Sequence, residues 1–181
     1  NQIQIIVNNG AGTGKAFQVW NETQKLLRRY KVNYTAYATR YRGHATRLAE
    51  KISTMEGKAQ VYLIVVGGDG TINEVLNGIR DFDRVRLGVI PTGSGNDFCR
   101  NLKLPGTPEE SLRQILVCIR RDRQGKELLR IDLGQVTWEG CKKPRIFGIS
   151  AGVGLDALVC KKALDSRLSS HYLLWKLPTG R

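Results

Sequence analysis

The sequence predicts an α/β fold, a doubly wound and mostly parallel sheet with helices on both faces. Three observations carry that expectation. Between residues 2 and 120 a short apolar or alternating run, a break and a segment of helical periodicity follow one another four times, the pattern of successive βαβ units. The third run, residues 61–66, is apolar throughout, as a central parallel strand covered on both faces must be. The conspicuous glycine and hydroxyl clusters fall directly after the strands, where ligands bind in such sheets.

Taken in order, residues 2–7 form a buried strand, and Asn8, Asn9, Gly10, Ala11, Gly12, Thr13 and Gly14 break the chain. Residues 15–30 form a helix whose Phe17, Trp20, Gln24 and Leu27 recur at helical spacing. Residues 33–39 alternate Tyr34, Ala36 and Ala38 against Thr35, Tyr37 and Thr39, a second strand. A second helix over 43–55 carries Ala45, Leu48, Ala49 and Ile52. After the strand at 61–66, a third helix over 71–79 places Ile72, Val75, Leu76 and Ile79 on one face. Residues 86–90 are a fourth strand closed by Pro91, and residues 109–120 a further amphipathic helix using Leu112, Ile115, Leu116 and Ile119. The pattern then changes. Residues 126–138 and 145–150 read as strands joined by a polar turn near Glu139 and Gly140, the start of a β-rich region, with a short helix following from Leu155. The expected division is an α/β domain over 1–124 and the beginning of a β-rich second domain over 125–181.

The 181 residues suffice for one domain, or one domain and part of a second. The 29 Lys and Arg against 16 Asp and Glu give a formal charge of +13. The excess is uneven: residues 25–51 hold eight basic residues and one acid, Glu50. Such a surplus points to anionic company, whether nucleotide phosphates, acidic lipid headgroups or nucleic acid. Nucleic acid ranks last, because no helix-turn-helix, zinc or aromatic RNP pattern is present to read bases. No run approaches the ~20 apolar residues of a membrane span, and no leader pattern opens the sequence. Asn rather than Met at position 1 suggests a start trimmed from a longer chain. The four cysteines form no C-x-x-C pair, and two histidines give no zinc spacing. Reduced thiols in a cytoplasmic protein are the expectation.

The strongest chemical signal is Gly67, Gly68, Asp69, Gly70 and Thr71 between an apolar strand and a helix. The glycines let backbone approach a ligand, and the N–H groups of the turn and helix start suit phosphate oxygens. A carboxylate there repels a bare phosphate. It makes sense where Mg²⁺ or a reacting hydroxyl stands between, or where Asp69 merely caps the helix. The first loop, with Gly10, Gly12, Gly14 and Lys15, is a second phosphate cradle, but matches neither the P-loop nor the dinucleotide fingerprint. The third loop runs Pro91, Thr92, Gly93, Ser94, Gly95, Asn96, Asp97, Phe98. Its glycines and hydroxyls suit phosphate or sugar. Asn96 or Asp97 caps a following helix, or Asp97 supplies a second acid near Asp69.

Taken together, G-G-D-G-T-I-N-E-V from Gly67 and G-V-I-P-T-G-S-G-N-D-F from Gly88 resemble the diacylglycerol kinase catalytic-domain family, which includes bacterial diacylglycerol kinases, YegS-type lipid kinases, sphingosine kinases and ceramide kinases. Asn8, Asn9, Gly10, Ala11 and Gly12 resemble its N-P-x-[SA]-G, with Asn9 at the usual Pro. Thr39 with Gly43, His44 and Ala45 resembles its T-x-x-x-G-H-A. Arg130, Ile131, Asp132, Leu133 and Gly134 resemble its later D-x-G strand, and the residues from Ser150 to Asp156 the opening of its second domain.

The resemblance implies an NAD kinase/diacylglycerol kinase-like N-terminal domain and a truncated β-rich second one. It implies transfer of the γ-phosphoryl group of ATP to a lipid hydroxyl, diacylglycerol first among acceptors, with Mg²⁺. By carry-over, ATP is held at Asn8, Asn9, Gly10, Ala11, Gly12, Thr39, Gly68, Asp69, Gly70, Thr71, Ile72, Asn73, Glu74 and Ser94. Asp69 is catalytic, and Asp69, Asp97 and Asp132 hold the metal through water. The family's general base lies further along, so these 181 residues are expected to be inactive alone. The expected partner is a lipid at a membrane surface visited from the cytoplasm, and a homodimer is a further expectation. The alternatives are an NAD kinase-like enzyme, which shares G-G-D-G-T but not the Pro91–Phe98 element, and a non-catalytic nucleotide-binding or lipid-sensing module.

Overall fold

Four of the apolar runs lie side by side as strands. The computed structural model describes residues 2–8, 15–57, 60–152, 154, 157, 158 and 162. Strand β1 is Ile3–Val7, β2 Tyr34–Ala38, β3 Val61–Gly67 and β4 Val85–Pro91. They pair in parallel in the order β2-β1-β3-β4. The chain therefore moves outward from β1 to β2, then crosses back to β3 on the other side. The topological switch point, where a crevice opens at the carboxyl ends of such a sheet, lies between β1 and β3.

Helices cover both faces, as the alternation of the strands dictates. All seven residues of β3 are buried, and successive side chains point to opposite faces. Leu63 and Val65 join Ile6 beneath α2 (His44–Ser53) and α3 (Asp69–Leu76), against Ala45, Ala49, Ile52, Ile72 and Val75. Tyr62, Ile64 and Val66 join Ile5 and Val7 beneath α1 (Lys15–Arg29) and α5 (Pro108–Arg123), against Trp20, Leu27 and Leu112. Each such fully buried aliphatic side chain contributes about 1.5–3 kcal/mol, so the apolar runs alone fix which faces are covered.

In α1 the buried stripe is Ala16, Val19, Trp20, Thr23, Leu26 and Leu27. Phe17, expected on the core face, is 55% exposed. Small Ala16 occupies the contact at the helix start, and one residue later the surface turns by about 100° to solvent. The Thr23 hydroxyl is hidden by donating to the Val19 carbonyl (2.7 Å). Thr107 caps the start of α5: its Oγ1 accepts from the Glu110 N–H (3.3 Å) and donates to Glu110 Oε2 (2.7 Å), with Pro108 in the first turn.

The strand expected over 126–138 is not formed along that length. Only β5 (Gly134–Val136) pairs, antiparallel with β6 (Arg145–Phe147). A strand persists only as far as its partner, and β6 has three residues. Leu129 is 73% exposed, outside any ladder. Two compact units divide the chain, Asn1–Ile149 and Ser150–Arg181. By this division the β5–β6 hairpin falls in the first unit. Ile146 packs against the core under α2 and α3, and Asn77 just after α3 clamps β6, its amide donating to the Ile146 carbonyl (2.8 Å) and accepting from the Ile146 N–H (2.9 Å). Most of the helix expected from Leu155 falls outside the described residues. Of the second unit, the Leu158 N–H donates to the Gly154 carbonyl (3.0 Å).

Candidate functional site

One step past the carboxyl ends of the strands, three residues stand in a row across the sheet. The Thr39 N–H donates to the Val7 carbonyl (2.8 Å), the Asn8 N–H to Val66 (3.0 Å) and the Thr92 N–H to Gly67 (3.1 Å). These bonds continue the ladders beyond β2, β1 and β4 and bring the expected nucleotide loops to the switch point. The Asn8 amide closes the gap between β1 and β3 by donating to Thr71 Oγ1 (2.9 Å). Asn9, Gly10, Ala11 and Gly12 lie outside the described residues.

The glycines of the second loop are there for closeness. A Cβ on Gly67 would stand 2.7 Å from the Thr71 Cβ, because α3 folds straight back over it. A Cβ on Gly68 would stand 3.2 Å from the Gly93 Cα, so the loops after β3 and β4 touch backbone to backbone. Gly70, by contrast, faces open space. The third loop is held by Asn96, which adopts the left-handed φ of 52° that Asn tolerates. Its amide donates to the Gly93 carbonyl (2.7 Å). Thr92 Oγ1 and Asn96 Oδ1 are buried here without a hydrogen-bond partner among the described residues, which is uncommon for buried polar atoms.

Asp69 does not cap its own helix. The N-cap of α3 is Gly68. The Asp69 carboxylate instead reaches across to α4 (Asp97–Asn101), accepting the Asp97 N–H on Oδ2 and the Phe98 N–H on Oδ1, each at 3.1 Å. It is the cap of a helix 28 residues further on, and neither Asn96 nor Asp97 caps α4 through a side chain. Asp97 forms an ion pair with Arg100. Both carboxylates approach Gly95, whose Cβ would lie 3.3 Å from Asp69 Oδ2 and 3.8 Å from Asp97 Oδ2. Asp132 is exposed. Among the described residues no three His, Cys, Asp or Glu side chains form a group able to hold a metal, so the expected three-acid set does not converge; Asp69 and Asp97 do.

Beside this pair lies the buried Cys99. Burial first, and then the Asp69 carboxylate, push its thiol from the ordinary 9.0 up to about 11. Folding therefore protects the proton, and this contribution to stability is whole below pH 9 and lost as pH rises through about 11. At pH 8, Cys118 and Cys141, both partly exposed, are expected to react readily with a disulfide reagent, and Cys99 only as the protein opens. Thiol labelling followed by peptide mapping checks this; prompt labelling of Cys99 in the folded protein would contradict it.

Glu74 has a second capping role. Its Oε1 accepts the Gly43 N–H (2.8 Å) and its Oε2 the Ala45 N–H (3.2 Å) at the start of α2, while Thr46 Oγ1 donates to the Glu74 carbonyl (2.9 Å). The two acids of α3 thus each hold the N-terminus of another helix, where the dipole favours negative charge. Ile72 is a core side chain, 2% exposed. Asn73 donates to Ile146 (3.3 Å), and Ser94 is exposed on its loop. Of the expected nucleotide contacts, Ile72, Asn73 and Glu74 serve the scaffold with their side chains.

Two features escaped the sequence reading. Asn77 stands one helical turn after Asn73, and that i, i+4 spacing was the available signal. His44 Nδ1 accepts the Arg40 N–H (3.1 Å), which leaves the proton on Nε2, and its ring stacks on Tyr41 at 4.6 Å with Arg47 over the Tyr41 ring. This closes the turn between β2 and α2 beside Thr39.

Known proteins resemble this chain in sequence and fold. Residues 2–129 match the family described as Diacylglycerol kinase catalytic domain. The chain is 34% identical over 175 residues to the Bacillus subtilis protein named "Putative lipid kinase YtlR", covering 96% of this chain and 54% of that protein. It is 48% identical over 83 residues to a diacylglycerol kinase of Staphylococcus epidermidis, covering 44% of this chain and 25% of that one. A crystal structure of a diacylglycerol kinase from Bacillus anthracis str. Sterne superposes with a TM-score of 0.53 at 28% identity, over 64% of this chain and 43% of that chain. This chain spans about half the length of the Bacillus subtilis relative and less of the others. With its switch-point loops and a family match over most of its length, the chain belongs to the diacylglycerol kinase catalytic domain family.

Proposed function

We propose that this chain is the nucleotide-binding part of a lipid kinase that transfers the γ-phosphoryl group of ATP to a lipid hydroxyl, with diacylglycerol as acceptor. The observation that carries the reading is the meeting of the Gly67–Thr71 and Pro91–Phe98 segments, backbone against backbone, with Asp69 held rigidly between them. Such a cradle fits a polyphosphate. Glycine backbones permit close approach, the first turn of α3 offers N–H groups, and the buried Thr92 hydroxyl supports a polar ligand there. Each Asp69 oxygen accepts one N–H and keeps a further acceptor direction. With Asp97 near the same glycine, the pair fits a hydrated Mg²⁺ held through water. A bound Mg²⁺ would supply neutralisation of charge on the phosphates during transfer. The protein's own part is positioning: Asp69 fixes the third loop, Glu74 the turn after Thr39, and Asn8 ties the end of β1 to Thr71.

The test uses the native-length protein with radiolabelled ATP and Mg²⁺, offering diacylglycerol in mixed micelles, a sphingoid base, or NAD. The expected result is label in phosphatidate. Label in NAD, or bound ATP with no labelled lipid, would overturn the proposal.

A further inference from the structure

A pocket of about 540 Å³ opens at the amino ends of β1 and β2, at the opposite end of the sheet from the glycine loops. Its floor is apolar, built from Ile3, Val32, Leu116 and Ile119, and its rim is basic, with Lys31, Arg120 and Arg123. No Asp or Glu lines it. The Arg123 guanidinium lies 5.4 Å from the centre of the Tyr62 ring, which fixes one of these cations in place. The last turns of α1 and α5 add Arg28, Arg29 and Arg121 to the same end of the fold.

Cations suit helix C-termini, and the dipole accounts for the arginines within α1 and α5. It does not account for Lys31. That residue stands beyond α1, where its N–H donates to the Arg28 carbonyl (3.0 Å) and the Val32 N–H to Leu27 (2.9 Å). This termination puts Lys31 at a left-handed φ of 51°, the position glycine usually takes. Lys103 takes the same conformation after α4; what distinguishes Lys31 is that its cation lines the pocket. Nor does a helix dipole require an apolar floor between the two helix ends.

We propose that this pocket binds a phosphate-bearing amphiphile. Its phosphate lies against Lys31 and Arg120, and an acyl tail lies on Ile3, Val32, Leu116 and Ile119. The volume is within the usual range for small-molecule sites, and charge complementarity selects the anion. The site is separate from the proposed phosphoryl-transfer loops, and the test reads binding rather than turnover, so either reading can fail without the other.

Calorimetric titration of the chain uses three probes: monomeric dihexanoyl phosphatidate, dihexanoylglycerol and inorganic phosphate. Lys31→Gly suits the left-handed position and should melt no lower than the parent, so weaker binding there is not misfolding. Arg120→Gln changes an exposed side chain. The expected result is that phosphatidate binds the parent at least ten-fold tighter than either other probe, and each variant at least ten-fold more weakly. Absent phosphatidate binding, or binding unchanged by both variants, would overturn the site. Inorganic phosphate binding as tightly as the lipid, or dihexanoylglycerol doing so, would overturn the amphiphile and leave a simple anion or apolar pocket instead.

Discussion

Asp69→Asn is expected to lower lipid phosphorylation by the native-length protein by on the order of 100-fold, equivalent to about 2.7 kcal/mol of transition-state stabilisation. The substitution is less conservative than its shape suggests. The carboxylate accepts two backbone N–H groups, one on each oxygen, from Asp97 and Phe98. An amide has one acceptor oxygen, so its NH₂ must face the other N–H, and the charge that steadies α4 and suits a hydrated metal is gone. Loss of one charge-assisted bond costs about 1.5–3 kcal/mol, or roughly 3–12 °C in melting temperature for a domain this size. The readouts are initial rate at saturating ATP and thermal denaturation of the same preparation. Near-parental turnover would remove Asp69 from its assigned role; lost turnover with an unchanged melt would assign it to the chemistry and not to α4.

Gly78→Ala is the second change expected to have a large effect, and it touches no loop of the site. A Cβ there would lie 2.1 Å from the Thr46 carbonyl oxygen and 2.8 Å from the Ala49 Cβ. The obstacle is backbone, so no rotamer relieves it and α2 must back away from α3. Overpacking of this kind costs about 1–3 kcal/mol, and the value here belongs at the top of that range. The displacement also pulls the Gly43 and Ala45 N–H groups from Glu74, so nucleotide affinity falls together with stability. Gly70→Ala is the matched control. Its Cβ meets nothing within 4 Å and it sits in the first turn of α3, so the melt should not fall. Equal melting of both variants would show that helix packing at Gly78 is looser than described.

The parts of the fold legible in the sequence are those set by local periodicity. The apolar run of β3 and the spacing of Ile72, Val75 and Leu76 each specify a face to bury, and the order of elements leaves few topologies. What could not be read depends on partners distant along the chain. Glu74 looks like a ligand residue in its motif, yet its carboxylate is used by N–H groups about thirty residues earlier. Helix α4 has five residues and no side-chain cap of its own; the cap expected from Asn96 or Asp97 is supplied instead by Asp69, 28 residues earlier. The β5–β6 hairpin is placed by Asn77, 69 residues before the backbone it clamps. The motifs therefore announce a set of loops at one end of the sheet, while the scaffold roles of Glu74 and Asp69 became visible only in three dimensions.

The central claim is that the segments after β1, β3 and β4 form one phosphate site around Asp69. The direct measurement is a titration of the ¹⁵N-labelled chain with MgATP, following backbone amide resonances. The account predicts progressive shifts concentrated at Asn8, Gly68, Asp69, Gly70, Thr71 and the residues from Thr92 to Asp97, weakened in Asp69→Asn. Shifts absent from those amides at millimolar nucleotide, or confined to the Lys31 and Arg120 end of the sheet, would contradict it.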